Sequence, residues 1–134
     1  MNRTNDFRSK LLKKDLYHDS AAEYVEQVKN AAPIVIWGCA ATGQTVFEFL
    51  ANFGAAGNVK YFADNNRLKW GTRFNGLPVL SPDEVVRLSK ESPGTRIIIA
   101  AVHLADIRNQ LLSLGIESKA IDIKGFFLAK NYWT

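Results

Sequence analysis

The chain is poor in the residues that carry covalent and metal chemistry. It has one cysteine and two histidines in 134 residues. A single cysteine excludes an internal disulfide and fits a reducing compartment. Cys39, His18 and His103 stand far apart and offer no metal-ligand spacing, so no metal site is expected. No apolar run approaches the roughly 20 residues that a membrane helix needs. The polar, charged N-terminus does not resemble a secretory signal. A cytoplasmic protein with no membrane partner is therefore expected. There is no internal repeat, linker or low-complexity segment. Apolar content of 47% and charged content of 22% are ordinary for a globular protein, and the length suits one domain with a real core. The net charge of +4 does not come from one basic run. Arg3, Arg8, Lys10, Lys13 and Lys14 are soon followed by Asp15, Asp19, Glu23 and Glu26. That mixture predicts a solvated helical face and no nucleic-acid partner.

What is present is an alternation of helical and strand patterns. Phe7, Leu11, Leu12 and Leu16 recur at helical spacing. A break is expected near His18 and Asp19, before a second helix starting at the capping-box pattern of Ser20 to Glu23. Tyr24, Val25 and Val28 give that helix its apolar face, and Pro33 ends it. Residues 34–37 predict a strand buried on both faces, residues 42–53 a helix and residues 59–63 a second strand. Residues 65–76 predict a loop, and residues 77–80 a short strand. Ser81, Pro82 and Glu84 mark a strong helix start. A strand over 96–102, a helix over 104–114 and a strand over 120–123 follow. The aromatic tail of Phe126, Phe127, Tyr132 and Trp133 fits either docking on its own core or an interface with a second copy or a catalytic partner. The alternation argues for a doubly wound parallel sheet between helical layers. Residues 1–32 would form a helical extension and residues 33–134 the α/β domain.

The most specific stretch is I-V-I-W-G-C-A-A-T-G at residues 34–43, with Asp64 about twenty residues on. A strand, a Gly-bearing turn, a helix start and a second strand ending in an acid form the Rossmann layout for a nucleotide. Phosphates sit at the helix N-terminus and the acid meets the ribose. Gly38 would make the tight turn and Gly43 would let the helix pack on the strand. Ala40 replaces the middle glycine, where a pyrophosphate approaches the backbone. Ala41 and Thr42 complete the turn, and Thr42 offers a hydroxyl to a phosphate or to the helix end. Asp64 and Asn65 suit a ribose diol or an Asx turn. Cys39, near a helix N-terminus, is a candidate for a lowered pKa. His103 follows the strand at 96–102 and suits a pocket wall, a helix cap or a plain loop. Lys69, Trp70, Gly71 and Arg73 form a loop fit to close on a base, a second phosphate or a partner. His18 reads as solvated.

The run from residue 34, then Y-F-A-D-N-N, G-L-P-V-L-S-P-D-E-V, I-I-I-A-A-V and I-R-N-Q-L-L-S-L-G-I, resembles a Rossmann-like module of bacterial carbohydrate biosynthesis. It is similar to the N-terminal domain of PglD-type sugar acyltransferases, to the CoA-binding-like domain of nucleotide-sugar dehydratases, and to domains attached to FkbM-type methyltransferases and to glycosyltransferases. The resemblance covers residues 33–123. It implies a crevice over residues 38–43 that takes a UDP-sugar, NAD or CoA, with Gly38, Ala40, Ala41, Gly43 and Asp64 as contacts. The hexapeptide repeats of the acyltransferases and the S-adenosylmethionine-binding domain of the methyltransferases are not in the sequence. The expectation is a nucleotide-binding module of sugar-modifying or surface-polysaccharide biosynthesis, acting with a larger transferase. A small NAD-dependent oxidoreductase is an alternative, although no Tyr-x-x-x-Lys pair follows the turn. A ligand-free interaction domain is another. No catalytic residue is identified.

Overall fold

The computed structural model describes the backbone of residues 3–31 and 33–132, and side chains within it from residue 16 onward. The first element is one helix, α1 (Arg3–Val28). The break expected at His18 and Asp19 is absent, and Ser20 to Glu23 lie inside the helix. Neither glycine nor proline occurs before Pro33, so weak helix formers alone face the packing of the helix's C-terminal third. Ala21, Tyr24, Val25 and Val28 are buried there.

Next come β1 (Ile34–Trp37), α2 (Ala41–Asn52), β2 (Val59–Ala63), β3 (Arg73–Phe74) and β4 (Leu77–Leu80). The chain continues through α3 (Pro82–Glu91), β5 (Arg96–Ile99), α4 (Leu104–Ser113), β6 (Ile121–Asp122) and α5 (Lys124–Tyr132). The six strands lie in the order β3-β4-β2-β1-β5-β6, all parallel except β3. This is a Rossmann-like doubly wound fold with β1 near the centre. Side-chain alternation along β1 and β5 splits the core in two. Ile34, Ile36 and Ile98 meet α1, α2 and α5 on one face. Val35, Trp37, Ile97 and Ile99 meet α3 and α4 on the other. Together these make the three layers expected.

Two further expectations are corrected, and one of the two readings of the tail is found. The segment at 65–76 contains β3, which turns back on β4 at Asn75 and Gly76, with φ values of +52° and +76°. Asn-Gly is the natural pair for a two-residue hairpin turn in this geometry. The strand expected at 96–102 ends at Ile99, because the chain must leave the sheet to start α4. The tail is a helix that docks on its own core: Leu128 and Ala129 are buried, and the Tyr132 ring packs edge-on against Phe49 and tilted against Phe53, with centroids 5.6 and 5.3 Å away. Trp133 lies outside the described residues. His18 sits at the rim of that aromatic cluster, 5.5 Å from Phe53.

A buried polar knot fastens α1 to the sheet. The Tyr24 hydroxyl donates to Asp122 at 2.7 Å, and Arg96 Nε donates to the same carboxylate oxygen at 2.7 Å. The other Asp122 oxygen accepts the Lys124 and Gly125 amides at 2.9 Å each and so caps α5. Burial and the Asp122 charge push the Tyr24 hydroxyl pKa far above its ordinary value.

Candidate functional site

The carboxyl end of β1 is the centre of the site, because β2 and β5 flank it and their following loops rise on either side. Gly38 leaves β1 at φ +134°, and its amide donates to the Ala63 carbonyl at 2.8 Å. A Cβ at Gly38 would collide with the Ala100 carbonyl oxygen. A Cβ at Gly43 would lie 2.9 Å from the Gly38 carbonyl carbon and closer still to its oxygen. Both glycines are therefore required by close backbone approach, as the sequence pattern implies.

Ala40 is the N-cap of α2, in extended geometry with φ −153° and ψ −154°, and no side chain caps the helix. The first turn of α2 also carries no acidic residue. Its orphan amides and the positive end of the helix dipole are thus left to solvent or to an anion. Thr42 does not supply the cap: its hydroxyl donates to the Ala100 carbonyl at 2.5 Å and ties α2 to the loop after β5. Ala41 is exposed beside it.

Asp64 spans the two turns. One carboxylate oxygen accepts the Cys39 amide at 2.9 Å and the other accepts the Asn66 amide at 2.8 Å, an Asx-type turn. A carboxylate has about four lone-pair sites, so acceptor capacity remains. The Trp70 indole N–H donates to the Asp64 carbonyl at 2.7 Å and fastens the following loop. Lys69 Nζ donates to the Cys39 carbonyl. Arg73 bonds the Gly76 carbonyl at 2.8 Å and faces the hairpin instead. Asn65 exchanges two amide hydrogen bonds with Gln110 of α4, at 2.9 and 2.8 Å, and so bridges the loop after β2 to the far wall of the crevice. That long-range pair has no sequence signal.

Cys39 differs from its expectation, and His103 takes the plainest of the roles left open to it. Burial holds the Cys39 thiol above its ordinary pKa; the Lys69 charge opposes the rise and Asp64 adds to it. The lowered pKa expected near a helix N-terminus does not occur, because the side chain is 5% exposed. His103 is the exposed N-cap of α4, and its side chain makes no cap bond. It stands at the rim and not within the turn.

A separate groove of about 520 Å³ lies at the opposite, amino end of β5, lined by Lys90, Thr95, Arg96, Glu117 and Lys119 among others. Arg96 is paired there with Asp122 and Lys119 with Glu117, while Lys90 is in none of the ion pairs among the described residues. Among the described residues no cluster of three metal-ligating side chains occurs, and no helix is long and apolar enough to cross a membrane.

The fold defines a Rossmann-like α/β domain with its candidate crevice at the β1 turn. No family model and no curated protein matches the sequence. Solved structures that share the fold include UDP-D-quinovosamine 4-dehydrogenase from Vibrio fischeri, 19% identical, with a TM-score of 0.52 over 75% of this chain and 86% of that one. Another is RSP in complex with β-NADH, 17% identical, with a TM-score of 0.51 over 84% of this chain. The chain spans 57% of the RSP chain. At such identities the likeness establishes the fold.

Proposed function

We propose that this chain is a nucleotide-binding module whose ligand places its phosphates over residues 38–43. The observation that carries this is the uncapped N-terminus of α2, brought against the end of β1 by Gly38 and Gly43. Asp64, with acceptor sites to spare, lies where a ribose diol would meet it. Leu68 and Val102, 87% and 82% exposed, stand on the loops after β2 and β5 on either side of the turn. Exposed apolar side chains in those places suit the faces of a base or a partner surface.

The ligand classes are a UDP-sugar, NAD and, from the sequence resemblance, CoA. One fold neighbour is by name a UDP-sugar dehydrogenase and the other holds β-NADH. A role in sugar-modifying or surface-polysaccharide biosynthesis rests on the sequence resemblance. The helical extension at 1–32 would then be an accessory to the binding domain at 33–134, and a transferase domain or a second copy its partner. Cys39 is buried and His103 lies at the rim, and Asp64 and Lys69 are read as ligand contacts. The chain is thus proposed to hold its ligand, with any chemistry supplied by a partner. Thermal unfolding with saturating NADH, UDP-N-acetylglucosamine or CoA tests this. Ligand at about 100 times its Kd adds about 2.7 kcal/mol of stability. A folded protein that responds to none of the three overturns the proposal in favour of an interaction domain.

A further inference from the structure

The loop after β2 holds a cation against the N-terminus of α2. Lys69 is half-buried, and its ammonium donates to the Cys39 carbonyl, the peptide just before the N-cap of α2. The three ion pairs among the described residues are Lys29 with Glu26, Arg96 with Asp122 and Lys119 with Glu117, so Lys69, like eight other lysines and arginines, belongs to none; what sets it apart is its place on the Cys39 carbonyl. The carboxylate of the same turn, Asp64, is engaged with two backbone amides. An ammonium has three donors and the Cys39 carbonyl takes one, so donors remain for an anion.

Its position is set by the backbone around it. Asn66 caps the short turn at 67–69 by accepting from the Leu68 amide at 3.1 Å. The Lys69 amide donates to the Asn66 carbonyl at 3.0 Å, and the Thr72 amide donates to the Lys69 carbonyl at 3.1 Å. Trp70 pins the segment to Asp64 from the other side. The lysine is therefore held beside the α2 N-terminus by a built loop. Its charge also opposes the burial-driven rise of the Cys39 thiol, so it is felt at the turn.

We infer that Lys69 is the counter-ion of the ligand's phosphate. This deepens the nucleotide reading of the same crevice and rests on it. Ala40 adds a methyl group where a dinucleotide-binding turn has glycine, which limits how closely backbone amides approach a pyrophosphate. A side-chain ammonium reaches an anion from farther away and tolerates that methyl group. The arrangement selects ligands that carry a phosphoryl group. It disfavours uncharged nucleosides and cationic cofactors such as S-adenosylmethionine.

Calorimetric titration of wild type, Lys69→Met and Lys69→Arg with UDP, ADP, uridine and adenosine tests it. Methionine keeps the apolar stem and removes the charge. The expected result is tighter binding of a diphosphate than of its nucleoside by wild type. Lys69→Met should weaken the diphosphate about tenfold, leave the nucleoside unchanged, and be rescued by Lys69→Arg. Equal diphosphate affinity in wild type and Lys69→Met overturns the counter-ion role while leaving the site intact. Equal losses for nucleoside and diphosphate also overturn it, since they mark a loop-building role. Failure of wild type to bind either diphosphate overturns the site reading itself.

Discussion

Replacing Ala40 by aspartate should make the protein more stable and worse at binding a nucleotide. Ala40 is exposed, extended and the N-cap of α2, and alanine is among the poorest residues for that position. A carboxylate there accepts an orphan first-turn amide, worth about 1 kcal/mol, and meets the positive end of the dipole for about another 0.5 kcal/mol. Lys69 nearby adds attraction, whereas Asp64 opposes it. For 134 residues the entropy of unfolding near the midpoint is about 0.28 kcal/mol/K, so the gain appears as a rise in Tm of about 5 °C. The same carboxylate stands where the proposed phosphate would lie. Two like charges about 4 Å apart repel by about 1–4 kcal/mol at a protein surface, which weakens binding by at least about fivefold. Calorimetric unfolding gives the first quantity, and titration with NADH or UDP-N-acetylglucosamine gives the second. A lower Tm would refute the uncapped-helix argument. Unchanged affinity alongside a higher Tm would refute the placement of the ligand.

Gly43→Ala should destabilise the domain by about 2 kcal/mol or more, because the new methyl group meets the Gly38 carbonyl and the backbone must move; urea unfolding measures this, and a loss under about 0.5 kcal/mol would show that the turn is looser than described. Tyr24→Phe removes one of four hydrogen bonds to the buried Asp122 carboxylate and should lose about 1.5–3 kcal/mol at neutral pH in the same assay. Tyr24 and Cys39 are both held neutral in the fold, above ordinary values of 10.0 and 9.0, so stability is full below pH 9 and falls as pH rises beyond it. Each group steepens that fall by up to about 1.4 kcal/mol per pH unit, so Tyr24→Phe should flatten the limb above pH 10.

How far the sequence reveals this molecule depends on the range of the interactions involved. β1, β2 and β4 are legible because an all-apolar or nearly apolar run of four or five residues bounded by turn residues suits a buried strand and is too short for a helix. The start of α3 is legible because Ser81 and Glu84 cap it from three residues apart, and both halves of that capping box form. The close-packed glycines are legible because the βα turn has a fixed local pattern. The continuity of α1 is not, since it depends on Tyr24 meeting Asp122, 98 residues away. The docking of the tail depends on Phe49 and Phe53 in the same way. The Asn75-Gly76 hairpin has a local signal, which the polar stretch around it masks. Asp64 shows the limit most clearly. Its place at the end of β2 is legible, whereas its bond to the Cys39 amide is a tertiary fact.

That bond changes which residues argue for a ligand. Gly38, Gly43 and Asp64 are all needed to join the end of β1 to α2 and β2, and they would be needed with the crevice empty. Their presence is therefore weak support for binding. The stronger support comes from positions where the chain forgoes stability that it obtains elsewhere. It caps α3 with a full capping box and α5 with a buried carboxylate, yet leaves α2 and α4 without a side-chain cap; α4 keeps Asp106 in its first turn, whereas α2 has alanine at the cap and no acid there. It also holds the half-buried Lys69 ammonium on a carbonyl beside that same helix, with donors to spare. Both features place positive potential at one point, and departures from local consistency tend to mark functional sites. An anion completes both at once, which is why the nucleotide reading is preferred to that of a domain that has lost its ligand.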